Sequence, residues 1–137
     1  MTDYTLIPIG YVQSTLTDPA SAPKQGREGA PAAWLVFDPA VRDGLSGVQV
    51  GDEVLLITWL DRSRRDVLRV HPRDDLTQPQ RGVFSTRSAD RPNPLGLHRV
   101  RVIARTDDVR LQVEPLEALD RTPILDLKPV LEDVREA

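Results

Sequence analysis

Residues Gly82 to Leu97, which read GVFSTRSADRPNPLGL, concentrate the residue types of this sequence that are best suited to binding chemistry. Arg87 and Arg91 carry guanidinium groups whose planar donors match the oxygens of carboxylates and phosphates. Pro92 and Pro94 lock their own φ angles and hold the preceding residues out of the α region, so we expect a stiff extended bend. The segment therefore predicts a preformed loop that binds an anionic ligand, with a solvated turn as the alternative.

A second set of candidate groups is acidic and lies later in the chain. Asp120 and Asp126 supply carboxylates, which together with carbonyl groups suit ammonium or sulfonium centres. Gly96, near the end of the first segment, lets the backbone turn sharply or lie close to a ligand. A site of this kind suits a zwitterionic or nucleotide-like ligand and needs no metal. The alternative for Asp126 is a surface pair with Lys128 on one strand face, which contributes little to stability.

Several common functional signatures are absent from the sequence. It contains no GxGxxG, GxxxxGK(S/T), HExxH or GxSxG, which excludes the usual dinucleotide, nucleoside-triphosphate, zinc-protease and hydrolase motifs. The two histidines, His71 and His98, are too few for a histidine-based metal site. We expect both of them at the surface or at strand ends.

The composition is that of one ordinary globular domain, so we take residues 1–137 as a single domain. The chain has 137 residues, 39% of them apolar and 28% charged, which is enough to bury a core of its own. Without cysteine it has no disulfides, thiolate metal sites or cysteine nucleophiles. The sequence does not open on a basic stretch and an apolar run, and no segment approaches the roughly 18 apolar residues of a membrane span. We therefore expect a soluble cytoplasmic protein.

Basic residues are segregated along a chain whose net charge is −3. Between Arg81 and Arg105 six arginines stand against the single Asp90, and between Asp61 and Arg73 five arginines stand against two aspartates. The net charge argues against a strongly basic nucleic-acid binder, but the two runs predict an anion-facing surface on an otherwise acidic protein. The alternative is that the arginine side chains lie along the polar faces of strands.

Apolar runs and period-two alternation predict an all-β domain, a barrel or a sandwich, of about six to eight short strands. The predicted strands are Tyr4 to Val12, Trp34 to Phe37, Glu53 to Leu60, Val67 to Val70, Arg99 to Arg105, Val109 to Val113 and Ile124 to Leu127. Arg99 to Arg105 and Val109 to Val113 alternate on either side of a polar turn, so we expect them to form a hairpin. One or two short helical turns are expected, at Asp38 to Gly44 and at Leu116 to Leu119.

Three strings in the sequence resemble the TsaA-like family of TrmO-type methyltransferases. They are GVFSTRS at 82–88, RPNPLGL at 91–97 and DRTPILDLKP at 120–129. The resemblance extends over nearly the whole chain, and it implies a small, mostly antiparallel closed β-barrel outside the usual Rossmann class of methyltransferase. It further implies that the protein binds S-adenosyl-L-methionine as its cofactor and acts as a homodimer. The activity it implies is N6-methylation of threonylcarbamoyladenosine at position 37 of tRNA.

The resemblance also implies which residues contact the cofactor and the tRNA. Carried over position by position, the cofactor contacts are Pro23, Lys24, Gln25, Asp61, Arg62, Arg87, Leu97, Asp120, Arg121, Thr122 and Pro123. The residues expected to face the substrate are Arg65, Arg69, Arg91 and Asn93. No residue is assigned a catalytic role, because methyl transfer from a sulfonium mainly requires alignment of donor and acceptor and exclusion of water.

The sequence departs from the family pattern at three of these positions. Lys24 stands where arginine is usual, Asp61 where histidine is common and Arg121 where a DGTP turn has glycine. Because the chain stops shortly after Lys128-Pro129, we also expect a short form without the additional C-terminal region of longer bacterial members. Two other functions stay open at this point. One is a cofactor-binding module without transferase activity, and the other is a methyltransferase for a small molecule or a protein.

Overall fold

Six antiparallel strands form the main sheet of the computed structural model, which describes residues 2–18, 23 and 29–131. In chain order they are β1 (Gly10–Gln13), β2 (Ala33–Phe37), β3 (Glu53–Trp59), β6 (Leu95–Thr106), β7 (Arg110–Glu114) and β8 (Pro123–Pro129). Two shorter strands, β4 (Arg69–Val70) and β5 (Arg81–Gly82), form a separate two-stranded sheet between β3 and β6. The all-β, antiparallel class predicted from the sequence is confirmed.

The main sheet closes on itself as a barrel because each of its strands pairs with two neighbours. The spatial order is β1-β2-β7-β6-β3-β8, and β8 returns to β1 with Gly10 opposite Ile124. All neighbours are antiparallel, so the ends of β1, β3 and β7 meet the starts of β2, β6 and β8 at one end of the barrel. Three connections, residues 14–32, 60–94 and 115–122, leave and return there. We call this the upper end.

The core consists of alternate residues of each strand, which point into the barrel. In β3, Val54, Leu56 and Thr58 are buried while their neighbours are partly exposed. The strands predicted at Trp34 to Phe37 and Glu53 to Leu60 are confirmed as β2 and β3, and the predicted hairpin is confirmed as β6 and β7. Alternation located these strands correctly because each has one face on the core and one face outward.

Two predicted strands are wrong in extent. Of Tyr4 to Val12, only Gly10 onward forms β1; residues 2–8 are exposed, and Pro8 lacks the N–H group that a central strand needs. Of Val67 to Val70, only Arg69 and Val70 are paired. Local composition predicted these segments as strands, but a strand also needs a neighbouring strand with free hydrogen-bonding groups.

The helical prediction is confirmed at one place and wrong at another. A 3₁₀ helix covers Pro39–Leu45, with the Asp38 carboxylate accepting the Ala40 N–H at its start. The segment from Leu116 to Leu119 is not helical: Leu116 and Ala118 are buried in alternation and join the barrel core. Within the described residues there are also 3₁₀ helices at Pro72–Asp74 and Val83–Ser85, which makes three short helices rather than one or two turns.

A hydrogen-bonded chain of polar side chains lies inside the barrel, where apolar residues would be expected. Nε2 of His98 lies 2.8 Å from Oγ1 of the fully buried Thr58, and Nδ1 of His98 lies 2.6 Å from Oε1 of Glu117. Only 5% of His98 is exposed, so the prediction of a surface or strand-end position is wrong. Burial is tolerated because both ring nitrogens have partners.

Gly96 faces the hydrogen-bonded side chains of Thr58 and His98, and this position explains why a glycine is needed. A Cβ atom built on Gly96 would overlap Oγ1 of Thr58 and lie 2.6 Å from Nε2 of His98. Gly96 stands opposite Thr58 in the β3–β6 pairing, within a regular strand. The prediction of a sharp turn or of a ligand close to Gly96 is therefore wrong. The groups that lie close to its backbone are side chains of the barrel interior.

Two further features can be stated for residues 2–18, 23 and 29–131. None of their helices has the length and hydropathy required to cross a membrane. Their histidine, aspartate and glutamate side chains form no group of three or more that could hold a metal ion.

Candidate functional site

Asp120 is the point at which the three connections of the upper end meet. Nη2 of Arg62, in the second connection, donates a hydrogen bond to the carbonyl oxygen of Asp120 at 2.6 Å. The Ser14 N–H, in the first connection, donates to Oδ1 of Asp120 at 3.0 Å, and the Asp120 N–H donates to the carbonyl oxygen of Leu16 at 2.7 Å. Two of the predicted cofactor-binding segments are thereby brought into contact.

The turn after Asp120 is held in one conformation by backbone and hydroxyl groups. Arg121 has a φ of 69°, in the left-handed region that favours glycine, and its N–H donates to the carbonyl oxygen of Val12 at 2.6 Å. The buried Thr122 hydroxyl donates to the carbonyl oxygen of Leu119 at 2.7 Å. The turn therefore keeps a glycine-type geometry with an arginine in it, at a conformational cost of about 1 kcal/mol. Pro123 then opens β8.

Arg87 and Leu97 form a second group, at the start of β6. Nη2 of Arg87 lies 3.4 Å from the carbonyl oxygen of Leu97, which is a long hydrogen bond from an exposed side chain. Leu97 points outward from the barrel with 45% of its surface exposed. Asp61 is exposed in the turn directly after β3, and its carboxylate has no partner among the described residues. These groups are accessible to a ligand.

The connection from β3 links the two groups. The Leu60 N–H donates to the carbonyl oxygen of Pro94 at 2.8 Å, and the carbonyl oxygen of Arg64 accepts the Arg91 N–H at 3.0 Å. Arg62, between Leu60 and Arg64, is the residue that contacts Asp120. Residues 60–64 thus run from the RPNP bend to the Asp120 turn, and both belong to the same end of the barrel.

Arg91 holds the loop together from the inside. Nη1 donates to the carbonyl oxygens of Thr86 and Ser88 at 3.1 and 3.0 Å, and Nη2 donates to that of Val83 at 3.1 Å. Three of its N–H groups are therefore used within the loop. These hydrogen bonds restrict the loop in addition to the two prolines. Arg91 therefore has a structural role, because it holds the shape of the loop.

Substituting Arg91 by lysine is expected to lower the free energy of unfolding by about 1–2 kcal/mol, because an ammonium group cannot reach three carbonyl oxygens in the plane of one fork. Chemical denaturation measures this loss, and hydrogen exchange should show faster exchange at Thr86 and Ser88. Arg69→Lys is the matched control, since the Arg69 side chain makes a single hydrogen bond within the described residues, at 3.2 Å, to the carbonyl oxygen of Gln80. Equal losses in the two variants would contradict this role of Arg91.

The other residues expected to face the substrate are exposed. Nε of Arg65 donates to the carbonyl oxygen of Pro92 at 2.7 Å, and Nη2 donates to Oδ1 of Asn93 at 2.9 Å. The Arg65 guanidinium also lies over the Trp59 ring, 5.1 Å from its centroid. The structure thus brings Arg65 and Asn93 together, while Arg69 lies apart from them in the β4–β5 sheet.

The predicted contacts in the first connection fall mostly outside the described part of the chain. Pro23 is described and is partly buried. Lys24 and Gln25 lie outside the described residues. The bonds of Ser14 and Leu16 to Asp120 show that the connection leading to them starts beside the site.

Several arginines of the two basic runs are paired within the protein. Nη2 of Arg99 lies 2.6 Å from Oε2 of Glu53, with Arg101 near the same carboxylate; hydrogen bonding and the charge of Arg99 lower the pKa of Glu53. Arg105 donates to the carbonyl oxygens of Leu45 and Val48 at the opposite end of the barrel. Fewer arginines are therefore available to bind an anion than the arginine count indicates. Arg99 and Arg101 lie along a strand face, as the alternative interpretation predicted.

A groove of about 400 Å³ lies at the opposite end of the barrel. Its lining includes Phe37, Val41, Val54 and Leu127, with Asp126 among the polar residues. Asp126 therefore lies in this groove while Asp120 lies at the upper end, so the two carboxylates do not contribute to one site. The groove is mainly apolar and contains none of the residues predicted to bind the cofactor, so we assign the site to the upper end.

Sequence reasoning missed two features of the loop and of β6. Phe84 is 78% exposed although it is a large apolar residue, and His98 with Gly96 belongs to the barrel interior. The phase of β6 could have revealed the second feature, because Gly96, His98, Val100 and Val102 lie on one face of a strand. The sequence carries no signal for the exposure of Phe84, which depends on how the loop folds back.

The fold as a whole matches solved structures of TrmO. The chain superposes on the crystal structure of TrmO from Pseudomonas aeruginosa with a TM-score of 0.74 at 27% identity, covering 99% of this chain and 61% of that one. The chain belongs to the family described as tRNA-methyltransferase O N-terminal domain, whose model matches residues 11–135. The resemblance found in the sequence is thereby confirmed. The chain spans about 60% of the length of the TrmO chains whose structures it matches.

Relatives of similar length carry names that refer to a ligand. A probable S-adenosyl-L-methionine-binding protein of Methanothermobacter thermautotrophicus is 37% identical over 127 residues, which cover 93% of this chain and 90% of the relative. An S-adenosyl-L-methionine-binding protein of Archaeoglobus fulgidus is 37% identical over 123 residues, covering 90% of this chain and 86% of the relative. The similarity extends over nearly the whole of each relative.

Proposed function

We propose that this protein binds S-adenosyl-L-methionine at the upper end of its barrel and transfers the methyl group to N6 of threonylcarbamoyladenosine at position 37 of tRNA. The observation that carries the proposal is the bond from Arg62 to Asp120, which joins segments 58 residues apart that the resemblance assigns to one ligand. The names of the relatives support the cofactor, and the family description supports tRNA as the methyl acceptor. We include a homodimer in the proposal, as the resemblance implies, and a cytoplasmic location, as the sequence predicts.

The donors and acceptors at the upper end fit the groups of this cofactor. Arg87 has only one long hydrogen bond among the described residues, so its guanidinium can bind a carboxylate. The exposed carboxylate of Asp61 and the carbonyl groups of the Asp120 turn suit an ammonium or sulfonium centre. Leu97 offers an exposed apolar contact. A zwitterionic ligand without phosphate needs this mixture of charges and no glycine-rich phosphate loop.

The residues of this chain would act mainly by alignment. When bound, the cofactor would supply a methyl group on a sulfonium, with the neutral thioether as leaving group, and Arg87, Asp61 and the Asp120 turn would hold it. The loop stiffened by Arg91, Pro92 and Pro94 would hold the acceptor in place and exclude water. The N6 proton leaves to solvent, because the attached carbamoyl carbonyl already makes that N–H more acidic and a strong base is unnecessary. We therefore assign no catalytic base.

Thermal unfolding with and without ligand tests the binding step. S-adenosyl-L-methionine at 100 times its dissociation constant is expected to add about 2.7 kcal/mol to the free energy of unfolding and to raise Tm. ATP is the control, since it shares the adenosine but lacks the sulfonium and the amino acid. Absence of a shift over a wide range of S-adenosyl-L-methionine concentrations would overturn the proposal.

Methyl transfer is tested on two tRNA preparations that differ in one modification. We expect a labelled methyl group to enter tRNA that carries threonylcarbamoyladenosine and not an unmodified transcript of the same sequence, with the product nucleoside identified by mass spectrometry. The relatives' names refer only to binding, which favours a cofactor-binding module as the second candidate function. Binding without transfer to either tRNA would support that second function.

A further inference from the structure

Phe84 is held at the surface by the burial of its neighbour. It lies in the 3₁₀ helix Val83–Ser85, and 78% of it is exposed while only 1% of Val83 is. The Val83 N–H donates to the carbonyl oxygen of Leu68 at 2.9 Å, and the Thr86 N–H donates to that of Val83 at 3.0 Å. The backbone on both sides of the ring is therefore fixed. The exposure of Phe84 belongs to an ordered loop.

The Phe84 ring has a cation over one face and stays largely exposed. The Arg91 guanidinium lies over the ring, 5.9 Å from its centroid, and is itself held by hydrogen bonds to the carbonyl oxygens of Val83, Thr86 and Ser88. A cation on one face of a ring orients it without closing the other face. The protein thus presents a largely exposed aromatic ring on a loop whose backbone is held by hydrogen bonds.

The charged residues nearest to Phe84 in the sequence are positive. The Arg81 side chain is exposed and has no hydrogen-bond or ionic partner among the described residues, and the Arg87 side chain makes only one long hydrogen bond there. Both lie within three residues of Phe84 in the sequence. Aromatic side chains next to unpaired arginines are the combination that binds single-stranded nucleic acid, because bases stack on the ring while the cations bind phosphates.

A second copy of this chain fits the surface less well. A symmetric contact through Phe84 would bring the Arg81 and Arg87 side chains of both copies together, and like charges at an interface are unfavourable. An RNA ligand supplies opposite charge at the same place. The charge around the ring therefore favours RNA as the occupant.

We propose, building on the proposed function, that the open face of Phe84 stacks on an unpaired base of the tRNA substrate and that Arg81 binds an adjacent phosphate. Phe84 is then a substrate-positioning residue three positions before Arg87, so the stacked base lies next to the proposed cofactor site. An unpaired base is required, because a base within a duplex has both faces covered. The ring selects single-stranded loops and not a particular base.

Two substitutions of Phe84 test the stacking. Phe84→Leu keeps an apolar side chain without an aromatic face and is expected to weaken binding of an oligoadenylate of about 10 nucleotides by roughly 5- to 150-fold. Phe84→Trp is expected to keep the affinity, and its fluorescence should be quenched by the oligoadenylate beyond any change from Trp34 and Trp59 in the unsubstituted protein. Leu76→Ala is the control, because Leu76 is 79% exposed in the same connection and should not affect binding.

Arg81→Gln tests the phosphate contact through salt dependence. Loss of one phosphate contact with a single strand should reduce the slope of log K against log salt by about 0.7. Arg42→Gln, in the 3₁₀ helix Pro39–Leu45 at the opposite end of the barrel, should leave the slope unchanged. An unchanged slope in Arg81→Gln would overturn the assignment of this arginine.

The stacking proposal and the proposed function fail in different ways. Each variant is also measured by the thermal shift with S-adenosyl-L-methionine, which Phe84→Leu should leave as large as in the unsubstituted protein. A normal shift together with unchanged oligoadenylate affinity in Phe84→Leu would overturn the stacking while the cofactor proposal stands. Loss of self-association in Phe84→Leu, with RNA binding intact, would assign the ring to a contact between copies and would also overturn it. Absence of any shift in the unsubstituted protein contradicts the cofactor proposal alone.

Discussion

Replacing Gly96 by alanine is expected to lower the free energy of unfolding by about 3 kcal/mol, the largest effect on stability that we predict for a single methyl group in this protein. The added Cβ atom would overlap Oγ1 of Thr58 and crowd Nε2 of His98. Both side chains are buried, and the hydrogen bond between them leaves neither free to move away. Denaturant unfolding followed by Trp fluorescence measures the loss.

Gly44 provides the matched control for this substitution. A Cβ atom built on Gly44 has no neighbour within 4 Å, so Gly44→Ala should change the free energy of unfolding little. Thr58→Ala tests the cause, because removing Oγ1 relieves the contact. The double variant Gly96→Ala, Thr58→Ala should be less destabilised than the sum of the two single variants. If the two single losses of unfolding free energy simply add in the double variant, the contact with Oγ1 of Thr58 is not the cause of the loss in Gly96→Ala.

Replacing Arg87 by alanine is expected to weaken S-adenosyl-L-methionine binding by about 10- to 150-fold, which corresponds to the loss of one hydrogen bond to a charged group. The side chain is exposed and makes one hydrogen bond, at 3.4 Å, within the described protein. Its removal should therefore leave the fold intact. Isothermal titration calorimetry measures the affinity, and the Tm without ligand checks the fold.

Arg99 serves as the control for Arg87. It is an exposed arginine two residues beyond Leu97, but its guanidinium is paired with Glu53 at 2.6 Å. Arg99→Ala should therefore leave the affinity for S-adenosyl-L-methionine unchanged. Arg87→Lys should recover only part of the affinity, since it restores the charge without the fork. A folded Arg87→Ala protein with unchanged affinity would remove Arg87 from the site.

The parts of the fold that depend on short stretches of sequence could be predicted. Alternation located β3 and the β6–β7 hairpin, and the Asp38-Pro39 pair located the 3₁₀ helix Pro39–Leu45. The prediction failed where a segment needed a distant partner. Residues 4–8 have the composition of a strand but are exposed and lie outside the sheet, while Leu116 and Ala118 fill the barrel core instead of forming a helical turn.

The candidate site was predicted only as a set of segments. The family strings named residues around 24, 62, 87 and 120, but the spacing along the chain does not say which of these meet. The antiparallel order of the barrel decides it, because that order places three connections at one end and lets Arg62 reach Asp120. The Arg91 side chain likewise points into the loop, where it donates to the carbonyl oxygen of Val83. An arginine at this position could equally have pointed outward to a ligand, and the sequence does not distinguish the two orientations.

The sequence by itself determined the all-β class, the stiff RPNP bend and the family, since each of these depends on residue types and their local spacing within short segments. Only the tertiary structure decided that His98 and Gly96 face the barrel interior, that Asp126 lies apart from Asp120 and that Phe84 stays at the surface. The physical reason is that the alternation of a strand assigns its residues to two faces without saying what lies opposite each face. Closure of the barrel supplies that neighbour, and with it the burial, the hydrogen-bond partner and the accessible surface of each side chain.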